Sequence, residues 1–387
     1  MKVMFYSPVS LRLGGGGEHY ILELVKHLKK YGVSSMIVSS KLSVSETERI
    51  SIQTIKTTLD KVSAKYVEFA FLPLTIASSD SPIPLLSEIK KIGQVARDCD
   101  LIYFNNVGAF QDLLVYALKK ICKKPVISGH HCPLYSMWGK THDLYVDTVG
   151  KSLLRKFDAC HTLNSYDFRL LNWLGATNIY LIPNGVDTEK FKPENFEKRR
   201  EKFKILFVGR LELHKGVDLL CESIKTINYN KILQNNMDFT IAGSGQLESF
   251  VQKLANHHKN VAYLGYLEGA LPKLYRDCDL LVLPSLRETS PLVLLEAQAS
   301  GLPVIAFNCI GPRDIMINGI TGTLIQKRDS RMLTQEITDY YALWLNNYEK
   351  YAQMRLAARE NVVKRFAMDI IVKRIYNMFR ETLKRNS

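Results

Sequence analysis

Short apolar runs alternate with helical periods along most of this chain, and they do so in two separate series. The first series has runs at 2–7, 35–39, 66–72, 100–105, 125–128, 159–163 and 179–182. Their brevity and continuous apolar character fit strands buried on both faces. Between most of them, apolar residues recur at helical spacing, at 18–31, 85–97, 109–122 and 165–174. A second series opens at Phe203, with runs at 204–208, 238–242, 260–264, 279–283, 303–306 and 322–325. Such alternation predicts an α/β chain with two Rossmann-like, doubly wound parallel sheets. The charged, Pro-containing segment 187–202 marks the join, and from Ser330 onward the pattern is essentially all helix. At 387 residues the chain exceeds what one core usually holds, so two domains are the expectation.

Composition narrows the class. Hydrophobic residues make up 46% and charged residues 23%, the balance of an ordinary soluble globular protein. No apolar run has the length needed to span a bilayer. The first seven residues carry too short an apolar run for a signal peptide and read as a first strand. Cysteines 99, 122, 132, 160, 221, 278 and 309 are scattered, odd in number and without a Cys-x-x-Cys pair. That argues against a disulfide framework and a zinc site, and predicts a reducing, cytoplasmic setting. The net charge of +14 favours anionic partners: phosphates, nucleic acid or an acidic membrane surface. Its densest stretch, Lys119-Lys120-Ile121-Cys122-Lys123-Lys124, closes a helix expected to begin near Gly108. It is either a solvated helix end or a docking patch for anionic lipid.

The segment from Pro284 to Ala297 is the richest in chemistry. Pro291 can occupy the first turn of a helix, where a missing N–H costs nothing. Glu288 then sits in the turn before that helix and Glu296 well inside it. The free amides of a helix start attract an anion, and the two carboxylates can accept hydrogen bonds from hydroxyls. One anionic group and two polyols are what a sugar nucleotide presents. Upstream, Arg210 follows the run 204–208, and Lys215 is expected to open the next helix. A guanidinium fork and a point charge there can grip a diphosphate. Gly243-Ser244-Gly245 ends the next strand, where glycine lets a chain pass close to a nucleotide or merely turn.

In the first half, Gly14-Gly15-Gly16-Gly17-Glu18 lies between strand one and helix one, where backbone can approach a ligand. It lacks the third glycine of the dinucleotide fingerprint, and no acidic residue is well placed after the second strand, so a dehydrogenase is excluded. Gly129-His130-His131 follows the run 125–128, and histidine at a strand's carboxyl end can bind a hydroxyl. Asp98-Cys99-Asp100 and Asp277-Cys278-Asp279 echo each other, and both contain Asp-x-Asp. They precede their strands, whereas ligands gather at carboxyl ends, so turn chemistry is expected there and not metal binding.

Taken together these elements resemble retaining glycosyltransferases of family 4. Glu288, seven residues, then Glu296 and Ala-x-Ala-x-Gly301-x-Pro303-Val304-Ile305-Ala306 is similar to that family's signature. Leu181-Ile182-Pro183-Asn184-Gly185-Val186-Asp187, with Phe191, resembles its linker; Val208-Gly209-Arg210-Leu211 with Lys215-Gly216 its phosphate clamp; Gly15-Gly16-Gly17-Glu18 its acceptor-side loop. The resemblance implies a GT-B fold, with an acceptor-binding domain at 1–186, a sugar-nucleotide domain at 187–368 and a helix at 369–387 returning to the first domain across an intervening cleft. It implies that His130, beside the His131 alternative, lies close to the transferred sugar, with Glu288 on the sugar hydroxyls. Arg210, Lys215, Thr289, Ser290, Pro291, Leu292, Glu296, Gly243, Tyr266 and Leu267 would then hold the donor, with Glu296 on the ribose, and Gly15, Gly16 and Gly17 the acceptor side. Many members have glycines where Thr289, Ser290 and Pro291 stand, which implies a narrower donor pocket here.

The implied reaction moves a sugar from a UDP- or GDP-sugar to a lipid-linked or glycan acceptor, with retention and without metal or other cofactor. A sugar-nucleotide 2-epimerase of the same fold would instead convert donor without acceptor, and a regulatory binder would turn over nothing. A nucleic-acid partner is not expected, since no RNA or DNA module is present. An anionic membrane surface at the inner face is.

Overall fold

A computed structural model describes residues 1–42, 48–72, 83–106, 111–132, 140–193, 200–267 and 269–386. It divides the chain into two units, Met1–Pro183 with Ile371–Ser387, and Asn184–Ile370. The sequence-based joins lay at 186/187 and 368/369.

The first unit is built on a seven-stranded sheet. Its strands are β1 (Lys2–Ser7), β2 (Ser34–Ser40), β3 (Lys65–Phe69), β6 (Leu101–Asn106), β7 (Val126–His130), β8 (Ala159–Thr162) and β9 (Ile179–Leu181), in the order β3-β2-β1-β6-β7-β8-β9. All of its pairings are parallel. The expected strand 66–72 divides. The chain leaves the sheet edge at Ala70, and β4 (Phe71–Leu72) pairs antiparallel with β5 (Ile83–Pro84). The helix expected at 109–122 is described as Gln111–Cys122, and its expected start near Gly108 lies outside the described residues.

The second unit carries β10 (Phe203–Val208), β11 (Met237–Ala242), β12 (Val261–Tyr263), β13 (Leu280–Leu283), β14 (Val304–Phe307) and β15 (Gly322–Ile325). They lie in the order β12-β11-β10-β13-β14-β15, again all parallel. Side chains alternate across a strand, and β10 shows what that does here. Phe203, Ile205 and Phe207 enter a cluster with Trp344 and Tyr351, while Leu206 and Val208 enter another with Leu294 and Val362. Both faces are covered, which is why every residue of the strand but Lys204 is apolar.

The Asp-x-Asp echo has a structural job. Asp100 Oδ2 accepts the Lys2 N–H at 2.7 Å and Asp279 Oδ2 the Lys204 N–H at 2.9 Å. Asp158 does the same for Val126 at 2.7 Å. In each case the carboxylate before one strand satisfies an amide at the start of its neighbour.

Candidate active site

In the second unit the loops that leave the carboxyl ends of the strands are stitched by backbone contacts. Gly209 N–H donates to Ala242 O, Gly243 N–H to Gly265 O and Leu211 N–H to Ser244 O, at 3.0, 2.7 and 2.9 Å. Gly243 has φ 140°, and a Cβ there would stand 1.8 Å from Gly209 O. Only glycine fits, for a reason that needs no ligand. Tyr266 and Leu267 follow Gly265 and are half-buried.

Lys215 ends a 3-10 turn, Leu213–Lys215, and does not open the helix as expected. Gly216, at φ 67°, separates it from the helix Val217–Asn228, and a Cβ at Gly216 would lie 2.0 Å from Pro284 O. The loop after β13 lies against this turn, with Leu286 N–H donating to His214 O at 2.9 Å. That contact brings Lys215 Nζ to 2.6 Å from Glu288 Oε1, with the two side chains only 18% and 11% exposed. Arg210 is more open and reaches Glu212 at 3.1 Å. His214, whose Nδ1 lies 3.0 Å from Glu212, is pushed below the usual imidazole range by burial first and then by Lys215 and Arg210. The expected clamp cations therefore do share one neighbourhood.

Pro291 is the N-cap of the helix Leu292–Ala299, one position earlier than expected, because its ψ of 116° is extended. Its carbonyl accepts from Leu294 and Leu295. Thr289 and Leu292 are half-buried. Ser290 is buried, and it is tied to the linker. Its Oγ accepts the Asn184 N–H at 3.2 Å and its carbonyl accepts Asn184 Nδ2 at 2.8 Å. Glu296 accepts the Tyr275 hydroxyl at 2.9 Å. Burial pushes its carboxyl up to about 7, against the opposing pull of Tyr275 and Lys190.

In the first unit Gly15 caps the helix Gly16–Leu28, so Gly16 and Gly17 form its first turn. A side chain at Gly17 would meet nothing within 4 Å. The histidine doublet separates. His130, closing β7, is 2% exposed, with Nε2 3.3 Å from Ser128 Oγ. Burial pushes it down to about 3. His131 is half-buried, and its Nε2 lies 2.7 Å from the Tyr103 hydroxyl.

Two family models match. Glycosyltransferase Family 4 covers residues 14–190, and Glycosyl transferases group 1 covers residues 188–361. An uncharacterized 41.2 kDa protein of the cps region of Klebsiella pneumoniae is 30% identical over 263 residues, 64% of this chain and 70% of that protein. The chain belongs to glycosyltransferase family 4. Another relative of this family 4 glycosyltransferase is the UDP-Gal:alpha-D-GlcNAc-diphosphoundecaprenol alpha-1,3-galactosyltransferase of Escherichia coli. It is 34% identical over 209 residues, 50% of this chain and 53% of that enzyme. The crystal structure of Anabaena HepE in complex with UDP-glucose matches with a TM-score of 0.76 at 19% identity, covering 98% of this chain and all of that one. The fold of this family 4 glycosyltransferase is thus GT-B, two parallel-sheet α/β domains, as the sequence implied.

Two residues that position this site escape sequence reasoning. Tyr275 holds Glu296, from a short helix with no motif of its own. Gly311 N–H donates to Glu288 O at 3.0 Å, and a Cβ there would press on Pro291 Cδ at 2.7 Å. The Gly311-Pro312 dipeptide after β14 was the available signal. Among the described residues no three His, Cys, Asp or Glu side chains gather as a metal set.

Proposed function

We propose that this family 4 enzyme transfers a sugar, with retention and without metal, from a UDP- or GDP-sugar to a lipid-linked or glycan acceptor. The observation that carries this is the meeting of Lys215, Glu288 and the start of the helix Leu292–Ala299 at the carboxyl ends of β10 and β13. A diphosphate at that place would find Lys215, Arg210 and the helix amides. Glu288 would turn to sugar hydroxyls and Glu296 to the ribose, while Thr289, Pro291, Leu292, Gly243, Tyr266 and Leu267 would line the donor's path. The acceptor would lie at Gly15, Gly16 and Gly17, with the His130-His131 doublet nearby.

In a front-face reaction the acceptor oxygen bonds to the anomeric carbon as the bond from that carbon to the diphosphate oxygen breaks. The acceptor's proton passes to the leaving phosphate. Lys215 and Arg210 stabilise the charge that develops there, and no further cofactor enters. The UDP-glucose complex of HepE and the UDP-Gal specificity of the E. coli relative favour a UDP-sugar. A cytoplasmic enzyme held at the inner membrane face completes the reading. It is favoured by the net charge and by the finding that no described helix is long and apolar enough to cross a membrane.

The test is a thermal-shift panel of UDP- and GDP-sugars, followed by transfer to undecaprenyl-diphosphate-linked sugars and NMR of the product anomer. Stabilisation by one donor class, with an axial product from an axial donor, is expected. An epimer formed from donor alone would establish the 2-epimerase reading instead.

A further inference from the structure

Three helices of the first unit, Gln111–Cys122, Lys151–Leu154 and Ser165–Trp173, end just before the chain enters β7, β8 and β9. Their C-terminal ends are joined by a run of side-chain contacts. Lys120 and Lys156 both lie over the Tyr116 ring, 5.6 and 5.2 Å from its centroid. Arg155, the neighbour of Lys156 in the chain, donates from Nε to the Leu174 carbonyl at 3.1 Å. Lys151, one turn before Arg155, lies 5.2 Å from the centroid of the Trp173 ring.

Two large apolar side chains stand in solvent at the ends of this run. Trp173 is 67% exposed and Ile121 62%. Cations surround them: Lys120, Lys123, Arg155 and Lys156 are exposed, and Arg169 is exposed one turn before Trp173 on the same side of its helix. Carboxylates do not offset this charge. Asp112 and Asp167, the only ones on the three helices, are buried. Asp158, between the second helix and β8, is taken up by Lys119 and the Val126 N–H, each at 2.7 Å. Cations alone would answer any polyanion. An indole among them fits a bilayer surface instead, where an amphipathic ring sits at headgroup level and Lys and Arg stems reach the phosphates.

We propose that these three helix ends form one membrane-docking face, in which Trp173 and Ile121 enter the headgroup region of an anionic leaflet and the surrounding cations bind its phosphates. This rests on the membrane-held enzyme proposed above, and adds to the basic helix end an apolar anchor and two further helices. The face lies at the amino edge of the sheet, so docking leaves the carboxyl edge, where the glycine loop follows β1, uncovered.

Sedimentation of the full chain with phosphatidylglycerol vesicles tests it, at low salt and at about 1 M, where exposed charges are screened within about 3 Å. Trp173→Ala should weaken binding about tenfold, as withdrawal of one inserted indole requires. Insertion is apolar, so that ratio should persist at high salt, whereas the loss in Lys156→Gln should shrink away. The melting temperature of Trp173→Ala should not move, because the ring is exposed. Trp173→Phe keeps an apolar ring and supplies a second readout: bromine-labelled acyl chains should quench the fluorescence of the wild type more than that of this variant, and the excess reports residue 173 alone. Equal binding of wild type and Trp173→Ala, or no excess quenching, overturns the proposal and leaves membrane attachment to the lysines. A dimer in solution that Trp173→Ala dissolves assigns the ring to a second copy of the chain and overturns it as well. A wild type that sediments with no anionic vesicle removes both this face and the membrane-held enzyme, and leaves sugar transfer to be decided by the donor panel.

Discussion

The two units share one architecture and differ in what stands at the carboxyl edge of the sheet. In the second unit that edge is ionic. Lys215 is held by Glu288 at 2.6 Å, and Arg210 by Glu212 at 3.1 Å. In the first it is neutral: Tyr103, His131 and His161 share protons in surroundings that keep both imidazoles uncharged. An ionic edge can exchange its internal carboxylate for a ligand's phosphate at little cost in desolvation, because the cations stay paired throughout. A neutral edge discriminates by hydrogen-bond direction instead.

Lys215→Ala should have the largest effect. It removes the cation nearest Glu288 and leaves that carboxylate unpaired. Transfer should fall by about 10²–10³-fold, and affinity for UDP and for the whole donor should fall together, since both carry the diphosphate. Calorimetry with UDP and with the donor checks this. Arg210→Ala, at a half-exposed pair, should follow the same pattern at about one-tenth of the size. Unchanged UDP affinity in Lys215→Ala would end the assignment of the ionic edge to phosphate.

Gly243→Ala should come next and should act on stability. The added methyl would need a φ of 140° and would meet Gly209 O at 1.8 Å. Backbone must move, and a loss of about 2–4 kcal/mol is expected by denaturant unfolding. If the variant keeps full stability yet loses UDP binding, Gly243 serves the nucleotide and the backbone explanation fails.

The strands of both units were legible because covered parallel sheets leave continuous apolar runs, and β10 shows that plainly. That Arg210 and Lys215 would share the loop after β10 was legible because charge beside glycine at a strand end is a local pattern. Pairings between distant residues were not. Tyr103 and His161 stand 58 positions apart and look like ordinary strand interior. Nothing local announces that Tyr275 will meet Glu296, or that Ser290 will anchor Asn184. The Pro291 expectation missed by one residue and the Lys215 expectation by two, because the extended ψ at 291 and the left-handed φ at 216 are decided by packing against Gly311 and Pro284.

Glu296 gives a smaller, pH-dependent effect. Its carboxyl is raised to about 7 in the folded chain, above the unfolded value of 4.5. The folded state thus binds more protons between those values, and stability from this group is present below about 4.5 and lost as pH climbs through about 7. Glu296→Gln should flatten that loss, worth roughly 1–3 kcal/mol across the window, in melting curves at pH 5 and 8. Ribose hydroxyls favour the carboxylate, so wild-type UDP affinity should rise through pH 7 and the variant's should not. A wild-type affinity flat across that range would separate Glu296 from the ribose.

The smallest effect should come from the basic end of the helix Gln111–Cys122, where the sequence expected an anionic membrane surface. The cluster is not uniform. Lys119 is held by Asp158 at 2.7 Å and by the Lys156 carbonyl at 2.8 Å, so reversing its charge would disturb the fold. Lys120 and Lys123 are exposed beside Ile121, itself 62% exposed, and Lys120 and Lys156 both lie over the Tyr116 ring. A cation near an anionic leaflet contributes about 1 kcal/mol, so Lys120→Gln and Lys123→Gln should each weaken binding to phosphatidylglycerol vesicles about fivefold. Salt should do the same to the wild type, because exposed charges are screened within about 10 Å at 0.1 M. Lys119→Gln should instead lower the melting temperature. Sedimentation with vesicles of rising anionic content separates these outcomes: binding that ignores lipid charge, salt and both exposed lysines would leave this helix end a solvated one, and the first unit without a membrane face there.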